Sequence, residues 1–424
     1  MNRLTRILRL TPLAIALMPA AVWADAASDL ADLKSRLAQL EQQVKESKNT
    51  LPAMAAPASA VSMGDTKFTF GGYVKLDAMM SRFSAGEVAG NSNARDFYNP
   101  TVTPVGTGPS STVMDMHAKQ SRFIFKTETP AGAEGPVRSH IELDFQNPAR
   151  GTERVTNNYD PGLRQAFVTY GNWLAGQAWS TFQDLGALPE TVEFVGAADG
   201  TVFSRQPQVR YTSGAFQIAA ENAQTTSGAS NATTYVYSDT SDNSIPDLVA
   251  RYTHKGDYGY LSVAALGRQL KSTDKANNLS DTATGFGVSL SGKIKAGSSG
   301  DDLRFMLTHG SGIGRYVALG LGADAVLSNG KLDPIKVTAG YATYRHLWTD
   351  KLRSNIQVSG VSIDNPASAG TFASKTSYSG LTNLIYSVTP KLEVGVEYLH
   401  GKREIESGLD GKIDRLQFMA KHSF

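Results

Sequence analysis

The last twelve residues constrain the fold more than any other stretch. From Arg415 to Phe424 the residues alternate between two faces. Leu416, Phe418, Ala420, His422 and Phe424 fall on one face; Arg415, Gln417, Met419, Lys421 and Ser423 fall on the other. Successive side chains of a strand point to opposite faces, so this is a strand with one apolar and one polar side. Such alternation, closed by a terminal aromatic ring, predicts a wall strand of a membrane β-barrel. Its apolar face meets lipid, its polar face meets a wet interior, and its last ring sits at the interface. A half-buried strand of a soluble protein shows the same pattern in one segment, so the remaining segments decide.

The opening residues read as an export label. Arg3, Arg6 and Arg9 stand without an acid, Leu10 to Val22 is apolar but too short to span a bilayer, and Val22-Trp23-Ala24 predicts cleavage after Ala24. Residues 1–24 are therefore expected to be a signal peptide. Without them the 41 basic and 39 acidic residues become 38 against 39. That near-neutral balance argues against a nucleic-acid partner, which needs a basic footprint. The chain has no cysteine, which excludes disulfides and cysteine-based metal sites. No stretch after the label is apolar enough for a transmembrane helix. Forty glycines, 16 tyrosines and 17 phenylalanines suit a strand-rich chain with many turns.

Residues 25–49 differ from the rest. Leu30, Leu33, Leu37, Leu40 and Val44 are spaced three, four, three and four, a heptad seam flanked by charges. So short a helix is marginal alone, and pairing with other copies would stabilise it. A periplasmic coiled coil joining copies of the chain is the expectation; a lone amphipathic helix on a surface is the alternative. Residues 50–65, with Pro52 and Pro57 among many alanines, read as a flexible linker, and 66–424 as the barrel domain.

Within that domain the alternation predicts about sixteen antiparallel strands. They fall near 67–80, 118–129, 136–146, 162–170, 173–179, 206–213, 215–222, 246–255, 258–268, 283–295, 301–310, 334–346, 351–361, 377–388, 391–401 and 413–424. The fold class is all-β: a transmembrane barrel of about sixteen strands preceded by a short coiled-coil helix. Short turns at 131–135, Gly171-Asn172, Ser213-Gly214, Gly256-Asp257, 296–300, Thr349-Asp350 and Thr389-Pro390 alternate with long loops, which gives the barrel two different ends. Leu352, Ile356 and Val358 lie opposite Arg353, Asn355 and Gln357; Val394, Val396 and Tyr398 lie opposite Glu393 and Glu397. Charges on the face opposite the apolar stripe indicate a water-filled bore, and a barrel this wide is not plugged by wall side chains alone.

The third long loop, after the fifth strand, carries Leu185, Leu188, Val192, Phe194, Val195 and Phe203. An apolar loop packs against something, and the inner wall is the place available. The runs GQAWSTF (Gly176–Phe182), LPETVEFVG (Leu188–Gly196) and RQPQVRYTSG (Arg205–Gly214) resemble those of the DcaP-type trimeric porins of Gram-negative outer membranes. That resemblance implies a homotrimer, an N-terminal segment in the periplasm, a third loop folded inward at a constriction, and passive uptake of small carboxylates with a preference for anions.

The residues give this partial support. Lumen-facing bases are expected at Lys75, Arg122, Lys126, Arg138, Arg210, Arg251, Arg268, Arg304, Lys336, Arg353 and Arg415, with Arg205 at the exit of the third loop. Arg122, Arg138, Arg205, Arg210, Arg251, Arg304 and Arg353 are the expected pore-lining, solute-contacting set. Asp184, Glu190 and Glu193 are the constriction-loop acids, expected to face the arginines across a narrow gap. Arginine forks grip carboxylates in two-point geometry, and rings of basic residues select anions in pores. No HExxH, GxSxG, P-loop or GxGxxG arrangement accompanies them, so no catalytic residue, cofactor or metal is expected. The partners expected are outer-membrane lipid, small anionic solutes and further copies of the chain. A structural or adhesive surface barrel tethered by its coiled coil, and a general porin without anion preference, remain the competing readings.

Overall fold

The computed structural model describes residues 60–146, 151–152, 156–231, 234–240, 242–274, 279–297 and 300–424. The expected signal peptide of residues 1–24, the expected coiled coil of 25–49 and most of the expected linker lie outside the described residues. The barrel belongs to the compact unit Val61–Phe424.

Sixteen wall strands follow one another: β1 (Thr66–Phe83), β2 (Ser111–His117 continued by Arg122–Thr129), β3 (Val137–Asp144), β4 (Gly162–Tyr170), β5 (Trp173–Trp179), β6 (Arg205–Ser213), β7 (Phe216–Glu221) and β8 (Asp247–Gly256), then β9 (Gly259–Asp274), β10 (Leu279–Ala296), β11 (Asp301–Ser311), β12 (Lys336–Leu347), β13 (Leu352–Asp364), β14 (Ser374–Thr389), β15 (Leu392–Ile405) and β16 (Asp410–Ser423). The sheet holds eighteen hydrogen-bonded segments, because β2 is broken in two and the short strand Ala60–Met63 pairs with β1. Pairing of β1 with β16, from Tyr73↔Ser423 to Phe83↔Ile413, closes the cylinder. Closure removes the sheet edges, the condition for any sheet in a bilayer.

Period-two alternation fixes which face each residue takes. On β16 Phe418 is 51% exposed while its neighbours Gln417 and Met419 are buried. Across the closing seam Val74, Leu76 and Met80 join Phe418 on the outside, and Lys75, Asp77 and Ser81 join Gln417 and Arg415 on the inside. Lys336, expected in the lumen, instead lies on the exposed face; Val337 takes the inner position, packed among Ile313, Tyr316 and other residues of the loop that covers β12.

The strand positions agree with the sequence reading except at β2, expected at 118–129 but starting at Ser111 and broken at 118–121; the loops differ more. Two expected long loops, at 269–282 and 402–412, are mostly strand: β9 pairs β10 up to Asp274↔Leu279, and β15 pairs β16 up to Glu404↔Asp410. And the third loop is not alone inside. Residues 84–110 and 312–335 also fold over the bore, placing Phe97 and Tyr98, or Ile313, Tyr316, Val317 and Leu321, in buried apolar clusters. Under them the inner wall is itself apolar, with Val249, Ala264, Leu266, Val337, Ala339 and Tyr341 facing in. Those strands are apolar on both sides, because one side meets lipid and the other meets packed loop.

Candidate functional site

Loop 180–204 (L3) leaves the wall at β5 and returns at β6, and it is buried along most of its length. Its two roots are tied by the Glu221 carboxylate, which accepts from Ser180 Oγ at 2.7 Å, the Thr181 amide at 2.7 Å and Gln206 Nε2 at 2.6 Å. From there L3 runs along the inner wall, making contact strand after strand. Asp184 caps the 3-10 turn Leu185–Ala187 and accepts from Tyr260 (β9) at 3.1 Å and Ser291 (β10) at 2.7 Å. The Leu188 carbonyl accepts from Arg304 (β11) at 2.8 Å, and the Ala187 carbonyl from Tyr341 (β12) at 2.9 Å. Glu190 pairs with Arg353 (β13) at 2.6 Å. The Val192 and Glu193 amides donate to Glu397 (β15) at 2.9 and 3.1 Å, and the Val192 carbonyl accepts from Lys75 (β1) at 2.6 Å.

The returning limb is held as firmly. Asp199 accepts from Tyr98 Oη at 2.9 Å, Ser377 Oγ at 2.5 Å and Ser379 Oγ. Complete burial pushes its carboxyl up to about 6, against the lowering effect of those hydroxyls. Gly200 passes directly over the wall: a methyl placed there would stand 2.1 Å from the Gly340 carbonyl oxygen.

All three loop acids are engaged. Asp184 and Glu190 are tied to the wall. Glu193 turns away from the wall, where the amides of Val195 and Gly196 in its own loop and of Tyr98 in loop 84–110 donate to it, and burial raises its carboxyl. A short loop that bends sharply exposes several amides on one side, and a carboxylate is the acceptor that satisfies them.

The predicted arginines divide into two groups. Arg122 pairs with Glu142 at 3.1 Å and Asp144 at 3.4 Å, Arg138 with Glu128 at 2.9 Å, Arg304 with Asp302 at 2.6 Å, and Arg353 with Glu190 and Glu393. Arg205, Arg210 and Arg251 make no ion pair among the described residues. Nη1 of Arg205 and Nε and Nη2 of Arg251 are buried without a hydrogen-bond partner. All three stand on β6 and β8, within the part of the wall, β2 to β8, that the path of L3 from β9 to β1 leaves open. Arg205 lies at the top of β6 beside the L3 exit. Arg210 is five residues lower, and Arg251 lies one inward-facing position below the Arg210 row. They form a descending file of charges, none of them in an ion pair among the described residues, with Glu221 and Asp184 acting on the lower two from beyond ion-pair distance.

Above this file is a vestibule of about 410 Å³. Phe97, Phe194, Phe203 and Tyr237 supply its aromatic surface, and three bases, Arg164, Arg205 and Arg315, outnumber the one acid, Asp239, among its charges. Arg205 stacks on Trp179 with its guanidinium carbon 5.0 Å from the ring centre, and Phe203 meets the same ring edge-on at 4.8 Å. Arg164 is held by Glu142 at 2.7 Å and Asp144 at 2.6 Å. Arg315 hydrogen-bonds Gln206 at 2.8 Å. Sequence reading did not find Arg164, Arg315 or the aromatic set, because their convergence joins loops and strands far apart in the chain. Among the described residues no His, Cys, Asp or Glu cluster has the form of a metal site.

Comparison with known proteins agrees with this architecture. The model of the DcaP outer membrane protein family matches residues 34–424. The crystal structure of the outer membrane channel DcaP of Acinetobacter baumannii superimposes with a TM-score of 0.70 at 24% identity, covering 86% of this chain and 99% of that one. The Salmonella typhi OmpF complex with daunomycin gives 0.52 at 12% identity, covering 86% and 100%. An anion-selective porin from Comamonas acidovorans gives 0.51 at 10% identity, covering 85% and 100%. No curated protein sequence is a detectable relative.

Proposed function

The chain belongs to the DcaP outer membrane protein family, and on that premise we propose that this outer-membrane channel admits small hydrophilic anions by passive diffusion, preferring dicarboxylates or aromatic carboxylates. One observation carries the proposal: Arg205, Arg210 and Arg251 line the open side of the bore without an ion-pair partner among the described residues, while the loop acids are spent on anchoring L3. An anion entering the vestibule exchanges hydration for guanidinium forks, with aromatic rings beside them for a flat solute. It then passes to the next arginine rather than leaving a deep well, since conduction needs several weak sites. Arginine stays charged at any physiological pH, so the preference is constant. We assign the working form as a homotrimer with the N-terminal segment on the periplasmic side.

Reversal potential in a salt gradient across a planar bilayer tests this. The potential should lie toward that of the anion, and Arg210→Ala should move it further toward the cation than Lys421→Ala. Lys421 already neutralises Glu393 at 2.7 Å, whereas Arg210 has no such partner. A cation-directed potential in the unaltered protein defeats the proposal. Equal shifts in the two variants would mean that the arginine file does not set selectivity.

A further inference from the structure

A second cavity, of about 280 Å³, opens on the inner wall at the opposite end of the bore, among β1, β2, β3 and β4. Its lining includes Lys67, Lys126, Arg138, His140 and Phe167. The alternation that sends Phe70 and Phe125 outward turns Lys67, Lys126 and Glu128 inward: Lys67 pairs across the ladder with Glu128, and Lys126 with His140. The cavity sits beside the short turn of residues 130–136, hence at the mouth away from the long loops. Arg138 and His140 lie six and four residues down β3 from Asp144, the carboxylate shared by Arg122 and Arg164. At about 3.4 Å per residue, Arg138 is about 20 Å below that row.

Two features distinguish this place from a merely charged wall. His140 and Phe167 stack face to face, ring centres 4.9 Å apart and planes within 10°, building a flat platform. Two acids face the group: Glu128, paired with Arg138 at 2.9 Å, and Glu142, at 3.5 Å from His140 and already paired with Arg122 and Arg164. Lys67 and Lys126 make no ion pair among the described residues, because Glu128, opposite Lys67, is taken by Arg138 and Glu142 by Arg122 and Arg164, so two ammonium groups flank the aromatic platform unpaired. Among the described residues no hydrogen bond or ion pair joins L3 to these side chains.

We infer that this cavity is a separate exit subsite for an aromatic carboxylate, with the carboxylate between Lys67 and Lys126 and the ring laid on the His140–Phe167 pair. The inference rests on the anion path proposed above and extends it: the arginine file receives the solute, and the lysine pair releases it to the periplasm. Both ammonium groups are exposed and flexible, so binding is weak, as an exit requires.

Sided block of single-channel current is the test, with benzoate and acetate as probes, added to one face of a bilayer in which all channels point the same way. Benzoate on the short-turn face should block the unaltered channel at lower concentration than acetate. The double variant Lys67→Ala/Lys126→Ala should raise the half-blocking benzoate concentration from that face about tenfold, with less than a twofold change from the long-loop face. Phe167→Ala should remove the advantage of benzoate over acetate there. Lys126→Gln, which keeps the side-chain length, guards against loss of folding and should reproduce part of the shift. Equal shifts from both faces, or no shift in the double variant, overturns the exit subsite. That failure is distinct from failure of the anion path, which is read by reversal potential in the Arg210 variant.

Discussion

Glu397→Ala offers the sharpest perturbation of the constriction. The carboxylate is 2% exposed. It accepts from the Val192 amide at 2.9 Å, the Glu193 amide at 3.1 Å and Asn383 Nδ2 at 2.9 Å. Truncation leaves all three donors without that acceptor, and each buried unsatisfied donor costs about 1–3 kcal/mol. Water entering the vacated space recovers part of this, so about 3 kcal/mol is a reasonable lower figure for the weakened docking of L3. At 1.4 kcal/mol per factor of ten, that multiplies the undocked fraction about 100-fold. The chain has no cysteine, so Thr191→Cys, one residue before the anchored amides, supplies a unique reporter. Maleimide labelling under native conditions reads local opening directly. The double variant should label about 100-fold faster than Thr191→Cys alone, and its single-channel current should grow noisier. Glu397→Gln keeps one acceptor oxygen and should give an intermediate rate. Acceleration below threefold, with the barrel still folded, would refute the idea that this carboxylate holds the loop.

Two further outcomes follow from the same anchoring. Gly200→Ala puts a methyl 2.1 Å from a wall carbonyl that cannot swing away, so it should lift the returning limb and lower stability by about 1–3 kcal/mol in urea unfolding; Gly267→Ala, with nothing within 4 Å of the added carbon, should be neutral, and equal effects would refute the close approach. Asp199, pushed up to about 6 from an ordinary 3.8, binds its proton more tightly in the folded state. Its contribution, up to about 3 kcal/mol, is therefore present at low pH and lost as pH rises through about 6. The unfolding midpoint should be higher at pH 5 than at pH 8, and Asp199→Asn should flatten the difference; an unchanged slope in that variant would assign the pH dependence elsewhere.

The membrane-facing architecture was legible because its signals are local. Which way Phe418 or Ile356 points depends on its own strand and a period of two, and a lipid exterior makes that period visible in residue type. The inward course of L3 was legible for a similar reason, since Val192, Phe194 and Val195 are out of place in an exposed loop. The break in β2 was not: residues 118–121 interrupt a segment whose two halves both pair with β1, and only the partner strand shows that they are one wall element.

Charge pairing was the least legible feature. Arg353 and Arg210 look alike in sequence, each a base on an alternating strand. Arg353 meets Glu190, 163 positions away, and is neutralised; Arg210 forms no ion pair among the described residues and feels Glu221 only from beyond ion-pair distance. The residue pattern thus determined a closed cylinder, its lipid face and the loop that enters it. Only the tertiary structure decided which arginines remain available to a solute, because neutralisation acts over a few ångströms between side chains that the barrel's closure brings together.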